Sequence, residues 1–333
     1  MNIKRLFLSV VMIISLSSVM AEEETFTYVP NIHGVIRPRW EMETETGKSR
    51  FQIRYSRVSL DGKIAPALDY FLQADLCDQG KMKFLDGYAR IRIIKGLQVQ
   101  AGQFRMPFGV ETFRSPQNYY FANRSFMQKQ MCNFRKVGIK ASYTLPLKTP
   151  LLLEAGTFNA AGGIDDHTKW SKKYAWSAKA ILTLDRFRLS TGMLSVRPEN
   201  IRMNFYDAAL QWENSHLLVA AEYMNEHYNK SIVKDAHSYC AVVNYRHPAK
   251  LGIFSEWSVQ GRFDGITSHW SGKEESKLSP ARNRATIGGT LTYRYKILFA
   301  DFRLNYEKYF YHSGVETPEG LGDKIVAEIA FRF

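Results

Sequence analysis

From Asp323 to Phe333 the chain alternates polar and apolar side chains and stops on a phenylalanine. With a repeat of two, Ile325, Ala327, Ile329, Phe331 and Phe333 share one face of a strand, and Lys324, Glu328 and Arg332 share the other. One face suits lipid and the other suits water. A transmembrane β-barrel closes its wall with its last strand and needs that alternation there. Taken by itself, the segment also fits the edge strand of a soluble sandwich.

The same period recurs along the chain and predicts sixteen strands, at 31–41, 50–60, 66–76, 84–93, 97–104, 136–145, 151–158, 173–184, 186–195, 203–213, 216–226, 236–246, 251–263, 284–295, 297–307 and 323–333. Many have the roughly ten residues that a tilted strand needs to cross the hydrocarbon layer. In the first, Ile32, Ile36 and Trp40 oppose His33, Arg37, Arg39 and Glu41. The second slips phase between Tyr55 and Val58, as a β-bulge would make it do.

Connector lengths alternate as well. Links after even-numbered strands are short, among them Asp61-Gly62 and His247 to Lys250, while those after odd-numbered strands are longer, with 105–135, 159–172, 264–283 and 308–322 the longest. Short turns at one end and long loops at the other is the build of bacterial outer-membrane barrels, and a soluble sandwich has no reason to show it. The expected fold is an all-β transmembrane antiparallel barrel of sixteen strands, with a long loop folding inward after the fifth.

Lys4 and Arg5 ahead of the apolar run Leu6 to Val19, with small residues at Val19-Met20-Ala21, predict a signal peptide over 1–21 and one barrel domain over 22–333. No later window has the apolar length of a transmembrane helix. The aromatic share, 14%, supplies the interfacial girdles that a barrel uses. A net charge of +13 calls for an anionic partner, and for an exported chain this means lipopolysaccharide or small anions rather than nucleic acid. Cys77, Cys132 and Cys240 are odd in number and widely spaced, so no disulfide framework is expected.

The segment 105–135 carries the candidate site. Pro107 cannot donate to a ladder and Gly109 permits a sharp turn, so the chain should leave the wall here. Its charge is one-sided: Arg105, Arg114, Arg124, Lys129 and Arg135 face Glu111 alone. Arg and Lys around a constriction admit anions and repel cations. The competing reading places the loop outside, solvated or against lipopolysaccharide; Phe108, Phe113, Tyr119, Tyr120, Phe121 and Phe126 instead favour anchorage on the wall. The inward strand faces mix both signs. Arg37, Arg39, Arg90, Arg92, Lys140, Lys179, Arg294 and Arg303 are candidate lumen-lining cations, beside carboxylates that predict a lattice of ion pairs.

Gly102-Gln-Phe-Arg-Met-Pro-Phe-Gly-Val-Glu111 resembles the G-Q-F-[KR]-x-P-F-G-x-E signature of the phosphate-selective porin O/P family. Weaker similarity runs through Arg54–Lys63, Asp86-Gly-Tyr88, Phe158-Asn159, Ile287-Gly-Gly289 and Asn305-Tyr-Glu307. The resemblance implies an anion-preferring, trimeric, sixteen-stranded porin with basic residues on an inward loop. Arg105 takes the place of the signature's basic residue. The stretch Asn133 to Gly138 lacks the Arg-Asp run expected before the sixth strand.

The function expected is a passive, anion-preferring diffusion channel of the outer membrane that takes phosphate or related oxyanions, without cofactor or metal. A non-selective porin, an outer-membrane enzyme and a structural barrel are the alternatives. The eight histidines form no HExxH, there is no GxSxG, and the nearest polar cluster is His167 beside Asp165-Asp166.

Overall fold

The computed structural model describes residues 28–78, 80–111, 119–160, 170–198, 201–229, 233–272, 277–312, 315, 317–318 and 320–333. The expected signal peptide, Arg114, Phe113 and the His167 cluster lie outside them. Sixteen strands follow in chain order: β1 (Asn31–Glu43), β2 (Ser49–Ala65), β3 (Leu68–Asp78), β4 (Lys81–Ile94), β5 (Leu97–Arg105), β6 (Arg135–Leu145), β7 (Leu151–Asn159), β8 (Tyr174–Leu184), β9 (Phe187–Val196), β10 (Met203–Glu213), β11 (Leu217–Tyr228), β12 (Ala236–Leu251), β13 (Phe254–Ile266), β14 (Arg282–Tyr295), β15 (Leu298–Tyr311) and β16 (Lys324–Arg332). One short helix, α1 (Phe126–Gln130), lies between β5 and β6.

Each strand pairs with its sequence neighbours, and β1 pairs with β16, so the sheet closes into an antiparallel barrel. Closure is in register from Val35 opposite Arg332 to Glu43 opposite Lys324. It leaves no open edge in the wall. Alternation then sorts the side chains. On β1 Ile36 is exposed outward while Arg37, Arg39 and Glu41 are buried inward, and on β16 Phe331 is exposed while Lys324 and Glu328 are buried.

Two expected turns are strand instead. Asp61 and Gly62 pair with Phe71 and Tyr70, and the chain reverses after Ala65. A Cβ on Gly62 would lie 2.9–3.0 Å from the hydroxyl end of Tyr70, so this glycine leaves room for a cross-strand contact. Pro66, with no N–H for the ladder, takes the turn. Likewise His247 and Pro248 pair with Trp257 and Glu256, and the reversal falls at Gly252-Ile253. The ring stack of Tyr245, His247 and Trp257 on the outer face carries β12 past the proline. β3 lies two residues further along the chain than expected and β4 is longer: Asp78 pairs with Lys81, leaving a two-residue link on the long-loop side.

The phase slip in β2 is a bulge. Ile36 pairs with Ser56 and Pro38 with Ile53, so Arg54 and Tyr55 together stand opposite Arg37. Pro38 cannot donate and sits where the ladder is already broken. Ile53 and Val58 remain exposed outward while Tyr55 and Arg57 are buried. The extra residue therefore turns two consecutive side chains, Arg54 and Tyr55, toward the interior.

Gly102 on β5 has φ +131°, and a Cβ there would lie 2.3 Å from the Gly87 carbonyl oxygen. Gly102→Val should cost well over ~1 kcal/mol, since both the backbone angle and the space are closed to it. The expected readout is a fall in the temperature at which the folded band is lost on heat-modifiable gels. Beyond β13, buried His269 bridges to Ser279 and its pKa is lowered to about 4, by desolvation first. Since the unfolded value is ~6.5, its contribution is present above that pH and is lost as pH falls toward 4. Hydrogen-exchange protection factors, corrected for the slower intrinsic exchange at acid pH, should fall at 267–272 and 277–281 between pH 7 and pH 4.5.

Candidate functional site: an arginine and tyrosine cluster

The signature stretch spends most of its residues on leaving the wall. Gln103 Nε2 donates to the Leu85 carbonyl at 2.9 Å, and Phe104 packs edge-on against Phe158 and Tyr88. Phe108 is buried against Phe205. Lys179 Nζ donates to the Gly109 carbonyl, and Val110 N–H donates to Glu222 Oε1 at 2.7 Å. Glu111 accepts from Ser125, the N-cap of α1. Arg105 remains as the charged group of that stretch with no described carboxylate bonded to it.

Residues 120–126 are bonded by inward-facing side chains of β1 and β13–β15. Arg37 donates to the Ala122 carbonyl at 3.0 Å, Arg262 to that of Asn123 at 2.8 Å, Arg284 to that of Arg124 at 2.7 Å, and Gln260 to that of Tyr120 at 2.7 Å. In return Ala122 N–H donates to Asn305 at 2.7 Å, Phe126 N–H to Asp264 at 2.9 Å, and Asn123 Nδ2 to Glu307 at 3.0 Å. The side chain of Asn123 also accepts from Arg39 at 2.7 Å. On the other flank Phe126, Met127 and Met131 join an apolar cluster with Leu194, Phe205, Met224 and Cys240 from β9–β12. Polar clasps hold one side of the segment and apolar packing the other.

Most candidate wall cations are neutralised in place. Arg37 is fully buried and pairs with Glu328 at 2.6 Å; Arg303 shares that carboxylate at 2.5 Å. Arg39 pairs with Glu41 at 2.8 Å, and Lys140 with Glu154 at 2.6 Å. Arg90 and Arg92 divide Asp69 between them at 2.9 Å. Arg135, expected in the constriction, instead grips Asp86 with two nitrogens at 2.9 and 3.1 Å. Lys179 is buried on the Gly109 carbonyl, and Arg294, exposed, lies over Phe299 at 4.8 Å.

The β2 bulge and the loop bring together a different group. The Tyr55 ring has the guanidinium carbons of Arg57, Arg54, Arg37 and Arg124 at 4.3, 4.9, 5.4 and 5.4 Å. Tyr119 has Arg124 at 5.0 Å and Arg37 at 5.3 Å. Arg105 belongs to the same field, with Arg135, Tyr119 and Arg124 as neighbours. Arg37 and Arg57 have carboxylates, the latter Asp75 at 2.8 Å. Among the described residues Arg54, Arg105, Arg124 and Lys129 make no salt bridge. Aromatic faces support the guanidinium groups without cancelling their charge. Lys129, exposed on α1, has a lowered pKa, through desolvation first and then the charges of Arg54, Arg282, Lys324 and Arg284.

The structure sets Arg105, Arg124 and Lys129 beside Arg54, Tyr55 and Arg57, which the sequence did not single out as site residues. The phase slip at Tyr55 was the signal that could have found them. No cluster of His, Cys, Asp and Glu fit to hold a metal occurs among the described residues.

Curated protein sequences contain no match to the chain. Among solved structures, Salmonella typhi OmpF in complex with daunomycin aligns with TM-score 0.63 and 12% identity, over 91% of this chain and 97% of that one. The outer membrane channel DcaP of Acinetobacter baumannii gives 0.60 and 11% over 91% and 97%. The trimer form of OmpT, an outer membrane protein of Vibrio cholerae, gives 0.60 and 9% over 92% and 98%. At these identities the likeness is one of fold. The family model described as phosphate-selective porin O and P matches residues 39–180, a span that holds the β2 bulge, the signature and the loop after β5. The protein is an outer-membrane porin whose residues 39–180 match that family.

Proposed function

We propose that the channel prefers anions, and that the segment after β5 forms its constriction together with the β2 bulge. The observation that carries this reading is the set of guanidinium groups of Arg54, Arg105 and Arg124, with Lys129, left without carboxylates in a barrel whose other inward arginines, such as Arg37, Arg262, Arg284 and Arg303, are paired. In a narrow aqueous passage between low-dielectric walls, uncompensated charge sets the sign of the ion admitted. Guanidinium forks offer paired donors that replace part of an oxyanion's hydration, and Lys129 adds a point charge. Conduction requires that such contacts stay weak enough for release.

Small oxyanions, phosphate among them, are the solutes this chemistry suits, and passage is passive. The trimer form of one structural neighbour supports a homotrimeric assembly. No step in this function calls for a cofactor. The purified protein in a planar bilayer under a potassium chloride gradient should give a reversal potential of the sign set by chloride; a potential of the sign set by potassium would overturn the reading.

A further inference from the structure

The outer face of the barrel is not uniform around its circumference. On β8–β12 the outward aromatics Tyr174, Trp176, Tyr206, Tyr223 and Tyr239 are all exposed, which makes a belt toward the long-loop end of these strands. Beside and beyond that belt, toward the strand ends, outward side chains are knitted into a polar band. Arg202 Nη1 donates to Ser195 Oγ at 2.7 Å, Ser195 Oγ to Asn204 at 2.7 Å, and Asn204 to Asn229 at 3.0 Å. Further round, Tyr223 bonds His237 at 2.7 Å, His227 bonds Asp235 at 2.9 Å, and Tyr239 donates to Asn283 at 2.8 Å. The remaining rim looks different: Phe51 on β2, Met82 and Phe84 on β4 and Phe310 on β15 carry apolar surface toward the strand ends.

The band also carries surplus positive charge. Lys172, Lys173 and Lys234 are exposed just outside β8 and β12 and make no salt bridge to a described residue, and Arg202 is bonded only to neutral groups. The described carboxylate within the band, Asp235, is engaged by His227.

We propose that this rim of β8–β12 binds the phosphorylated headgroup of an outer-leaflet glycolipid. Aromatic belts mark the depth at which acyl chains give way to headgroups, so groups just beyond the belt meet headgroup atoms. There the uncompensated Lys173, Arg202 and Lys234 supply charge for phosphate, and the Asn, Ser, Tyr and His side chains supply hydrogen bonds for sugar hydroxyls. The belt beneath takes the first methylenes of the chains. A surface for a second copy of this chain would be favoured by apolar side chains at the rim, which is what β2, β4 and β15 have and this arc does not.

The test is native mass spectrometry of the full, detergent-extracted protein with bis-phosphorylated lipid A and, separately, with its dephosphorylated form. The wild type should retain the phosphorylated lipid at least about tenfold better. The variant K173Q/R202Q/K234Q should lose that preference while keeping its conductance and heat-modifiable migration, and K173R/R202K/K234R should restore it. K173Q/K234Q provides a milder second variant that leaves the Arg202 hydrogen bonds in place. Equal retention of both lipids, undiminished binding by the triple variant, displacement of the lipid by inorganic phosphate, or loss of oligomers in place of lipid would each overturn the proposal.

Discussion

Replacing Arg54, Arg105 and Arg124 together by alanine is expected to bring the reversal potential under a salt gradient close to zero. One unit charge about 5 Å from an ion in water contributes on the order of 0.8 kcal/mol, attractive for an anion and repulsive for a cation. Removing three such charges should lower the anion-to-cation permeability ratio by at least about tenfold even after screening by salt. The corresponding triple lysine variant keeps the sign and should keep most of the selectivity. Changing Arg114, which lies outside the described residues, measures how much the remainder of the loop adds. Unaltered selectivity in the triple alanine variant would place the ion path away from the Tyr55 and Tyr119 cluster.

The second large effect is expected at Glu307. Its carboxylate takes Asn123 Nδ2 at 3.0 Å, Arg284 Nη1 at 3.2 Å and the Tyr309 hydroxyl at 3.0 Å, all in the buried clasp of residues 120–126. Glu307→Ala strands Arg284 with one carboxylate, Asp264, and breaks a buried network at a cost of about 3–5 kcal/mol. With one side of the segment released, single-channel conductance should rise and become noisy, and the folded band should be lost at lower temperature. Asn123→Ala, which removes the clasp from the loop side and leaves the wall lattice whole, should raise conductance with less loss of stability. A variant that loses stability at unchanged conductance would show that the apolar flank on β9–β12 holds the segment without help.

The period of two made the wall readable, because every second residue of a lipid-facing strand must be apolar and local sequence records it. Turns were less legible. Asp61-Gly62 has turn chemistry in the sequence, but the glycine instead makes room for the side chain of Tyr70 across the ladder. His247-Pro248 is carried through by an outer stack of rings that only the folded sheet assembles. Which arginines stay charged toward the passage was less legible still. Arg37 is neutralised by Glu328, 291 positions away, and that meeting exists only once β1 and β16 have closed in register. Arg135 stood in a basic run and looked like a constriction residue, yet β4 offers it Asp86 across the top of β5. The basic character of the loop could be read directly; the pairing that cancels some of its charges depends on the barrel.

The bulge in β2 gives this porin a simple way to change. In a regular strand, a substitution alters one side chain, and its two neighbours still point into lipid. At Arg54 and Tyr55 the ladder already tolerates an unmatched residue, so insertion or deletion of a single codon there can add or remove one side chain from the passage while the sixteen-strand count and the closing register stay as they are. The side chains offered to the interior can thus be rewritten in single-residue steps at the bulge.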